Sequence, residues 1–326
     1  MPKVLIAPVT LAGVNASFRQ TLTSAGFEEV FPKVTRQLTE HELLEHLKGI
    51  PAALAGSEPY TRSVIAAHPQ LRVIARSGVG YDAVDVAAAT EHGVVVTITP
   101  GTNQDAVAEH TFALMLALAK NLISQHAGTK ACKWPRQANL PLRGRTLGVA
   151  GLGRIGKAVA LRGACFGMKL LAYEPIPDHQ FLTQHKITLV TMDKLLQESD
   201  FLSIHVPLTT DSKHLINKKT LAMMKPTSFL INTARGGLVC EADLIQALKA
   251  KTIAGAGLDV FEQEPPPHSQ LFELDNVVLT PHTAGVDLQS RDDMAESAAR
   301  AIVDLSRGEW PADKIVNPEV RAKFKW

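Results

Sequence analysis

Residues 146–161 read TLGVAGLGRIGKAVAL: a short apolar run, Leu147 to Ala150, meets a glycine-rich turn and continues as a helix-like pattern to Leu161. The bare pattern Gly-x-Gly-x-x-Gly is weak, but a strand before it and a helix after it supply the context that dinucleotide binding requires. Gly151 would make the tight turn, Gly153 would let the backbone approach a pyrophosphate, and Gly156 would let helix and strand pack closely. The diphosphate would rest on open amides at the helix start, aided by the positive end of the helix dipole. A second strand, Lys169 to Tyr173, ends at Glu174, 18 residues beyond Gly156. A carboxylate there accepts hydrogen bonds from the adenosine ribose and repels a ribose phosphate. Pro175, Ile176 and Pro177 follow, with no arginine to receive such a phosphate, so NAD is expected over NADP.

Outward from this stretch the same rhythm repeats. Before it, the apolar runs VLIA (4–7), AALAG (52–56), RVIA (72–75) and VVVTI (94–98) alternate with helix-like ELLEHL, introduced by Thr39, and with SVIAAH and VAAATEH. After it come FLSIHV (201–206), SFLINTA (228–234), IAGAGLDV (253–260) and NVVLTP (276–281), each running into a loop or helix start. Strands alternating with helices predict parallel α/β sheets whose working residues lie at strand ends. Between the two series a single long helix is expected from Asn103 to about Gln125, then a loop with Trp134, Pro135, Pro141 and Gly144. A last helix is expected from Ser290 to Leu305.

At 326 residues the chain suits two domains, and 45% hydrophobic with 20% charged residues is ordinary globular composition. Lys plus Arg number 34 against 32 acids, a formal charge of +2, so no bulk positive field marks a nucleic-acid or anionic-membrane binder. The start, MPKVLIAPVTLAG, has a single basic residue, and Pro8 interrupts its apolar run, which argues against a secretion signal. FALMLALA (112–119) is far short of the roughly 20 residues that span a bilayer. Cys132, Cys165 and Cys240 are odd in number and widely spaced, which indicates neither a disulfide framework nor a metal site and suits a reducing cytoplasm.

Three residues follow expected strands in the carboxy-terminal half: Arg235 in NTARGGLV, Glu264 in GLDVFEQEP and His282 in TPHTAG. An arginine fork grips a carboxylate in two places, a histidine titrates near neutrality, and an acid beside it orients the ring and favours its charged form. Singly, each also reads as an ordinary surface ion pair, loop acid or core histidine. Together they form a proton-transfer and anion-binding set.

As a set, GLGRIG with Glu174, NTARGGLV, GLDVFEQEP and TPHTAG resemble the D-2-hydroxyacid dehydrogenase family, in its phosphoglycerate-dehydrogenase-like branch without an appended regulatory domain. The spacing agrees too, at 29 residues from Arg235 to Glu264 and 18 more to His282. RSGVGYDAVD (76–85) and TPGTNQDAVAEHTFALMLALAK (99–120) are similar to that family's substrate loop and linking helix. The resemblance implies two doubly wound lobes. A Rossmann NAD-binding domain, residues 101–286, is inserted into a flavodoxin-like substrate domain of residues 1–100 and 287–326, with the active site in the cleft between them. It implies an NAD-dependent enzyme that interconverts a 2-hydroxy acid and a 2-keto acid, His282 as acid and base, Glu264 as its partner, and Arg235 on the substrate carboxylate. Backbone amides of Ser77, Gly78 and Val79 would complete the carboxylate site. Arg154 and Ile155 would lie on the pyrophosphate, His205 and Pro207 along the cofactor groove, and Thr233 and Asp259 at the nicotinamide end. Asp259 would accept from the carboxamide, or else cap its loop. Glu109 and His110, at the head of the linking helix, would support the hinge or back the catalytic set from outside it. A homodimer is implied, formed through the linking helix and the Trp134 loop.

The branch's phosphate-holding arginine is replaced at its own position: LAGSEPYTRS (54–63) carries Ala55 there and Glu58 nearby, with Arg62 and Arg76 standing open as substitutes that the sequence does not place. A carboxylate beside a phosphate is unfavourable. The substrate therefore stands open between D-3-phosphoglycerate and a non-phosphorylated acid such as glyoxylate or hydroxypyruvate, and an NAD-sensing regulatory protein of the same fold is a further alternative.

Overall fold

The computed structural model describes residues 1–134 and 136–326; Pro135, within the loop expected after the linking helix, lies outside the described residues. Two compact units divide the chain: residues 1–103 with 286–326, and residues 104–285.

The first unit is a five-stranded sheet of β1 (Lys3–Ile6), β2 (Glu28–Val30), β3 (Ala52–Ala55), β4 (Val73–Arg76) and β5 (Val95–Thr97). All its pairs are parallel and its order is β2-β1-β3-β4-β5, the flavodoxin-like winding. Helices α1 (Ser17–Ser24), α2 (Glu40–His46), α3 (Arg62–Ala66) and α4 (Val86–Glu91) make the crossovers. Thr39 starts α2 through a capping box with Glu42, and Thr61 and Asp85 cap α3 and α4 through their side chains. β3 and β4 are buried throughout, as strands covered on both faces must be. The carboxy-terminal helix Leu288–Ser306 returns to this unit and packs Ala295, Ala298, Ala299 and Ile302 into one core with Phe18 and Leu22 of α1. Asn317, fully buried, ties the tail to β5 by accepting from the Val96 amide and donating to the Val94 carbonyl.

The second unit opens with α5 (Gln104–Ala119) and α6 (Leu122–Lys130). The sequence reads these as one helix; they meet at a 60° bend, where Asn121 adopts left-handed φ 49°. Apolar residues run on past Asn121, so the periodicity hides the break. Among the described residues no single helix is long and apolar enough to cross a membrane. Strands β6 (Thr146–Ala150), β7 (Lys169–Tyr173), β8 (Thr188–Leu189), β9 (Phe201–Ile204), β10 (Phe229–Asn232), β11 (Gly255–Leu258) and β12 (Val277–Leu279) follow. With them come α7 (Arg154–Cys165), α8 (His179–Gln184), α9 (Met192–Glu198), α10 (Lys218–Leu221) and α11 (Glu241–Lys249). The parallel sheet runs β12-β11-β10-β9-β6-β7-β8, a dinucleotide-fold order with one extra strand at its edge.

Register decides what this sheet presents. Ala150 pairs with Tyr173 and with Ile204, Asn232 with Ile204 and Leu258, and Leu258 with Leu279. Because the strands are parallel, the residues that follow each of these pairs emerge along one edge: Gly151, Glu174, His205, Thr233, Asp259 and Thr280.

Candidate active site

The glycine turn after β6 is built as its spacing predicts. Gly151 has φ +92°, and a side chain there would strike the His205 backbone, with 2.7 Å to its carbonyl carbon. A Cβ on Gly156 would fall 2.0 Å from the Gly151 carbonyl oxygen, so the start of α7 can lie this close to the turn only with glycine. Around Gly153 the space is open, and no side chain caps α7. Among the described residues the amides of Arg154, Ile155 and Gly156 meet no internal acceptor, the first being Lys157 to the Gly153 carbonyl at 2.9 Å. Open amides at an uncapped helix start fit a pyrophosphate. Glu174, half-buried, accepts from the amides of Leu152 (2.7 Å) and Ile176 (3.1 Å), which hold the acid against the turn with lone pairs to spare for ribose hydroxyls. These residues fit a bound dinucleotide.

His205 follows β9 with its Nε2 against the Ser203 hydroxyl at 2.7 Å and its buried Nδ1 without a partner. Burial drives this imidazole down to about 3, so it is neutral at physiological pH and serves no proton chemistry there. Pro207 is exposed, and its carbonyl accepts from Ser212. Thr233 is buried, its hydroxyl 3.0 Å from that of Thr111 on α5.

At the neighbouring strand ends the structure brings His282 and Glu264 together: Nδ1 of the ring lies 2.5 Å from the Glu264 carboxylate. The other Glu264 oxygen accepts from the Phe261 amide at 3.0 Å. Burial pushes this carboxyl up, but the hydrogen bond and charge of His282, with the Phe261 amide and the charge of Arg235, outweigh it and hold it below the usual range. Arg235 therefore lies within electrostatic reach of the pair. Its loop is shaped by Asn232, which accepts from the Ala234 amide and donates to the Arg235 carbonyl. The next residue is glycine because a side chain on Gly236 would overlap the Phe261 carbonyl at 1.9 Å.

The sequence places Asp259 at the nicotinamide end, or else as a loop cap. In the structure it is completely buried and anchors the histidine loop: its carboxylate accepts from the Thr280 hydroxyl (2.6 Å) and from the amides of Thr283 (2.9 Å) and Ala284 (2.8 Å). Its carbonyl accepts from the His282 amide at 2.8 Å, while His282 sits at left-handed φ 54°. His110 lies behind this loop, its Nε2 at 2.9 Å from Thr280. Since the Thr280 hydroxyl donates to Asp259, His110 donates to Thr280, which fixes its proton on Nε2. Glu109 instead pairs with Arg162 of α7 at 3.1 Å. Sequence reasoning misses Asn232 and Thr280, although each stands at the end of an apolar run where a polar residue signals a turn.

In the first unit, the turn after β4 spends two of the three amides expected for a carboxylate. Ser77 donates to the Ala55 carbonyl at 2.8 Å and Gly78 to the Thr99 hydroxyl at 3.0 Å. Within the 77–80 turn the amides without an internal acceptor are those of Val79 and its neighbour Gly80. Of the expected trio Ser77, Gly78 and Val79, the first two amides are thus taken up by Ala55 at the end of β3 and by Thr99 just past β5, and Val79 is open, with Gly80 beside it. Arg62 is directed at Glu91 and Asp85, and Arg76 is almost wholly buried.

A glycine-turned dinucleotide sheet that carries a histidine–carboxylate pair and an arginine at its strand ends defines a nicotinamide-dependent oxidoreductase. Comparison with known proteins makes this particular: residues 112–284 match the family described as D-isomer specific 2-hydroxyacid dehydrogenase, NAD binding domain. The chain is 40% identical to a glyoxylate reductase of Pyrococcus furiosus over 98% of its own length and 96% of the relative's. It is 38% identical to a D-3-phosphoglycerate dehydrogenase of Synechocystis over 98% of this chain and 60% of that one. The structure of a D-lactate dehydrogenase from Aquifex aeolicus, complexed with NAD and lactic acid, superposes with TM-score 0.85 at 28% identity, covering 96% of this chain and 98% of that one. The chain belongs to the D-isomer specific 2-hydroxyacid dehydrogenases and is an NAD-dependent oxidoreductase that interconverts 2-hydroxy and 2-keto acids.

Proposed function

We propose that this enzyme reduces small, unphosphorylated 2-keto acids of the glyoxylate and hydroxypyruvate class, and oxidises the matching 2-hydroxy acids in reverse. The observation that carries this is the end of β3. There the position of the branch's phosphate-holding arginine is Ala55, the nearby Glu58 is a buried carboxylate, and the Arg76 guanidinium is turned inward onto backbone carbonyls. A phosphate would meet a buried acid and an alanine where it needs a positive group.

In this reading NAD, when bound, supplies or accepts the hydride. The open amides at the start of α7 hold its pyrophosphate and Glu174 its adenosine ribose. Arg235 grips the substrate carboxylate and polarises the keto group, and in the first unit the open Val79 and Gly80 amides are suited to a carboxylate. His282, tied through Nδ1 to an ionised Glu264, donates a proton from Nε2 to the keto oxygen as it gains charge, and takes that proton back in the oxidative direction. Asp259 keeps the ring in place from below.

The exposed apolar side chains Leu122, Ile123 and Trp134 support a homodimer through α6 and the following loop. Exposed free Cys132 and Cys165 suit a reducing cytoplasm. The substrate test is a panel of glyoxylate, hydroxypyruvate and 3-phosphohydroxypyruvate, followed by NADH absorbance. The expected kcat/KM is highest for the unphosphorylated acids; preference for the phosphorylated one overturns the proposal.

A further inference from the structure

The turn from Ser77 to Gly80 leaves two successive amides without internal acceptors, so something must hold its shape on both sides of them. Three contacts do so. The Ser77 amide donates to Ala55, Gly78 exchanges hydrogen bonds with Thr99 through its amide and its carbonyl, and Arg76 Nε donates to the Gly80 carbonyl at 2.8 Å. A second arm of the same guanidinium donates to the Ala55 carbonyl at 3.1 Å, so one side chain ties the ends of β3 and β4 together. Arg76 is only 8% exposed, and a buried guanidinium requires a compensating charge. Glu58, 2% exposed, is the nearby acid; burial pushes its carboxyl up, and the charge of Arg76 with the Gly56 amide opposes that rise only in part. Glu58 is itself fixed by the Gly56 amide at 2.6 Å.

We propose that Arg76, with the buried acid Glu58 beside it, is a positioning residue for substrate: its guanidinium, held on the Ala55 and Gly80 carbonyls, shapes the 77–80 turn so that the Val79 and Gly80 amides stay open for the 2-keto acid's carboxylate. The proposal rests on the reading that these amides bind that carboxylate. The planar fork is what the site needs, because lysine cannot serve two carbonyls in fixed directions.

The test replaces the pair by apolar side chains of similar size, Arg76→Met with Glu58→Leu, so that no lone buried charge remains to unfold the unit. The expected result is a KM for glyoxylate raised about ten- to a hundredfold, the value of one hydrogen bond to a charged group, with kcat and NADH affinity nearly unchanged. Arg76→Lys should fall between wild type and the double variant, and it carries the test alone if the double variant does not fold. Wild-type KM in either folded variant overturns the proposal. Hydrogen exchange at Val79 and Gly80 in the NADH-bound wild type, with and without oxamate, separates the two claims. Absence of protection there defeats the carboxylate reading, and with it the proposal. Protection that persists undiminished in the double variant defeats the positioning role alone.

Discussion

Replacing Asp259 by asparagine changes one atom and should cost both stability and turnover. The aspartate is completely buried, with one oxygen receiving the Thr280 hydroxyl and the Thr283 amide and the other the Ala284 amide. Asparagine keeps one acceptor oxygen and presents a donor in place of the other, so whichever way it sits, at least one buried backbone amide faces a donor. Losing a hydrogen bond to a charged group costs about 1.5–3 kcal/mol, and stranding a buried donor about 1–3. These costs overlap, giving about 2–4 kcal/mol in all. For a domain of 150–250 residues each kcal/mol moves Tm by about 2–4 °C, so a fall of roughly 4–16 °C is expected. Calorimetry reads it, with NADH added to identify the nucleotide unit's transition by its upward shift. The same substitution loosens the loop that carries His282, and a displacement of about 1 Å at a reacting group can lower kcat by about a hundredfold. An unshifted transition with unchanged kcat would refute the anchoring role.

Two further perturbations follow from the nucleotide edge of the same sheet. Glu174→Ala should relax the preference for NADH over NADPH, since the group that repels a ribose phosphate is gone; an unchanged ratio of kcat/KM values counts against the ribose assignment. His205 has its folded pKa depressed to about 3 from 6.5, so its neutral form is part of the native state. Above about pH 6.5 this burial carries no pH-dependent penalty, and stability is lost as pH falls from there toward 3, by up to about 1.4 kcal/mol per unit. His205→Gln should flatten that part of the stability–pH curve, and a slope identical to wild type would show that the imidazole is not buried neutral.

Much of this was legible because the signals are local. Gly151, Gly153, Gly156 and Glu174 lie within two strands and one helix, and their spacing is set by backbone geometry alone. Arg235, Glu264 and His282 follow apolar runs, where a parallel sheet gathers its working groups. The features hidden from the sequence depend on distant partners. That the Ser77 and Gly78 amides are spent is decided by Ala55 and Thr99, and that Arg76 turns inward is decided by one carbonyl at the end of β3 and another in the turn after β4. Asn121 breaks the linking helix by one left-handed residue inside an unbroken apolar pattern. The edge strand Glu28–Val30 pairs only with β1 and is half-exposed, and Thr188–Leu189 is two residues long and exposed, so neither carries a burial signature strong enough to read.

In the proposed mechanism His282 supplies the proton that accompanies hydride transfer to a 2-keto acid. Single-turnover reduction of glyoxylate by NADH, comparing wild type with His282→Ala alongside NADH titration of each, tests it most directly. The expected result is unchanged NADH affinity with reduction slowed by about 10²–10⁴-fold, the usual contribution of a positioned acid. Near-normal reduction by the variant would contradict it.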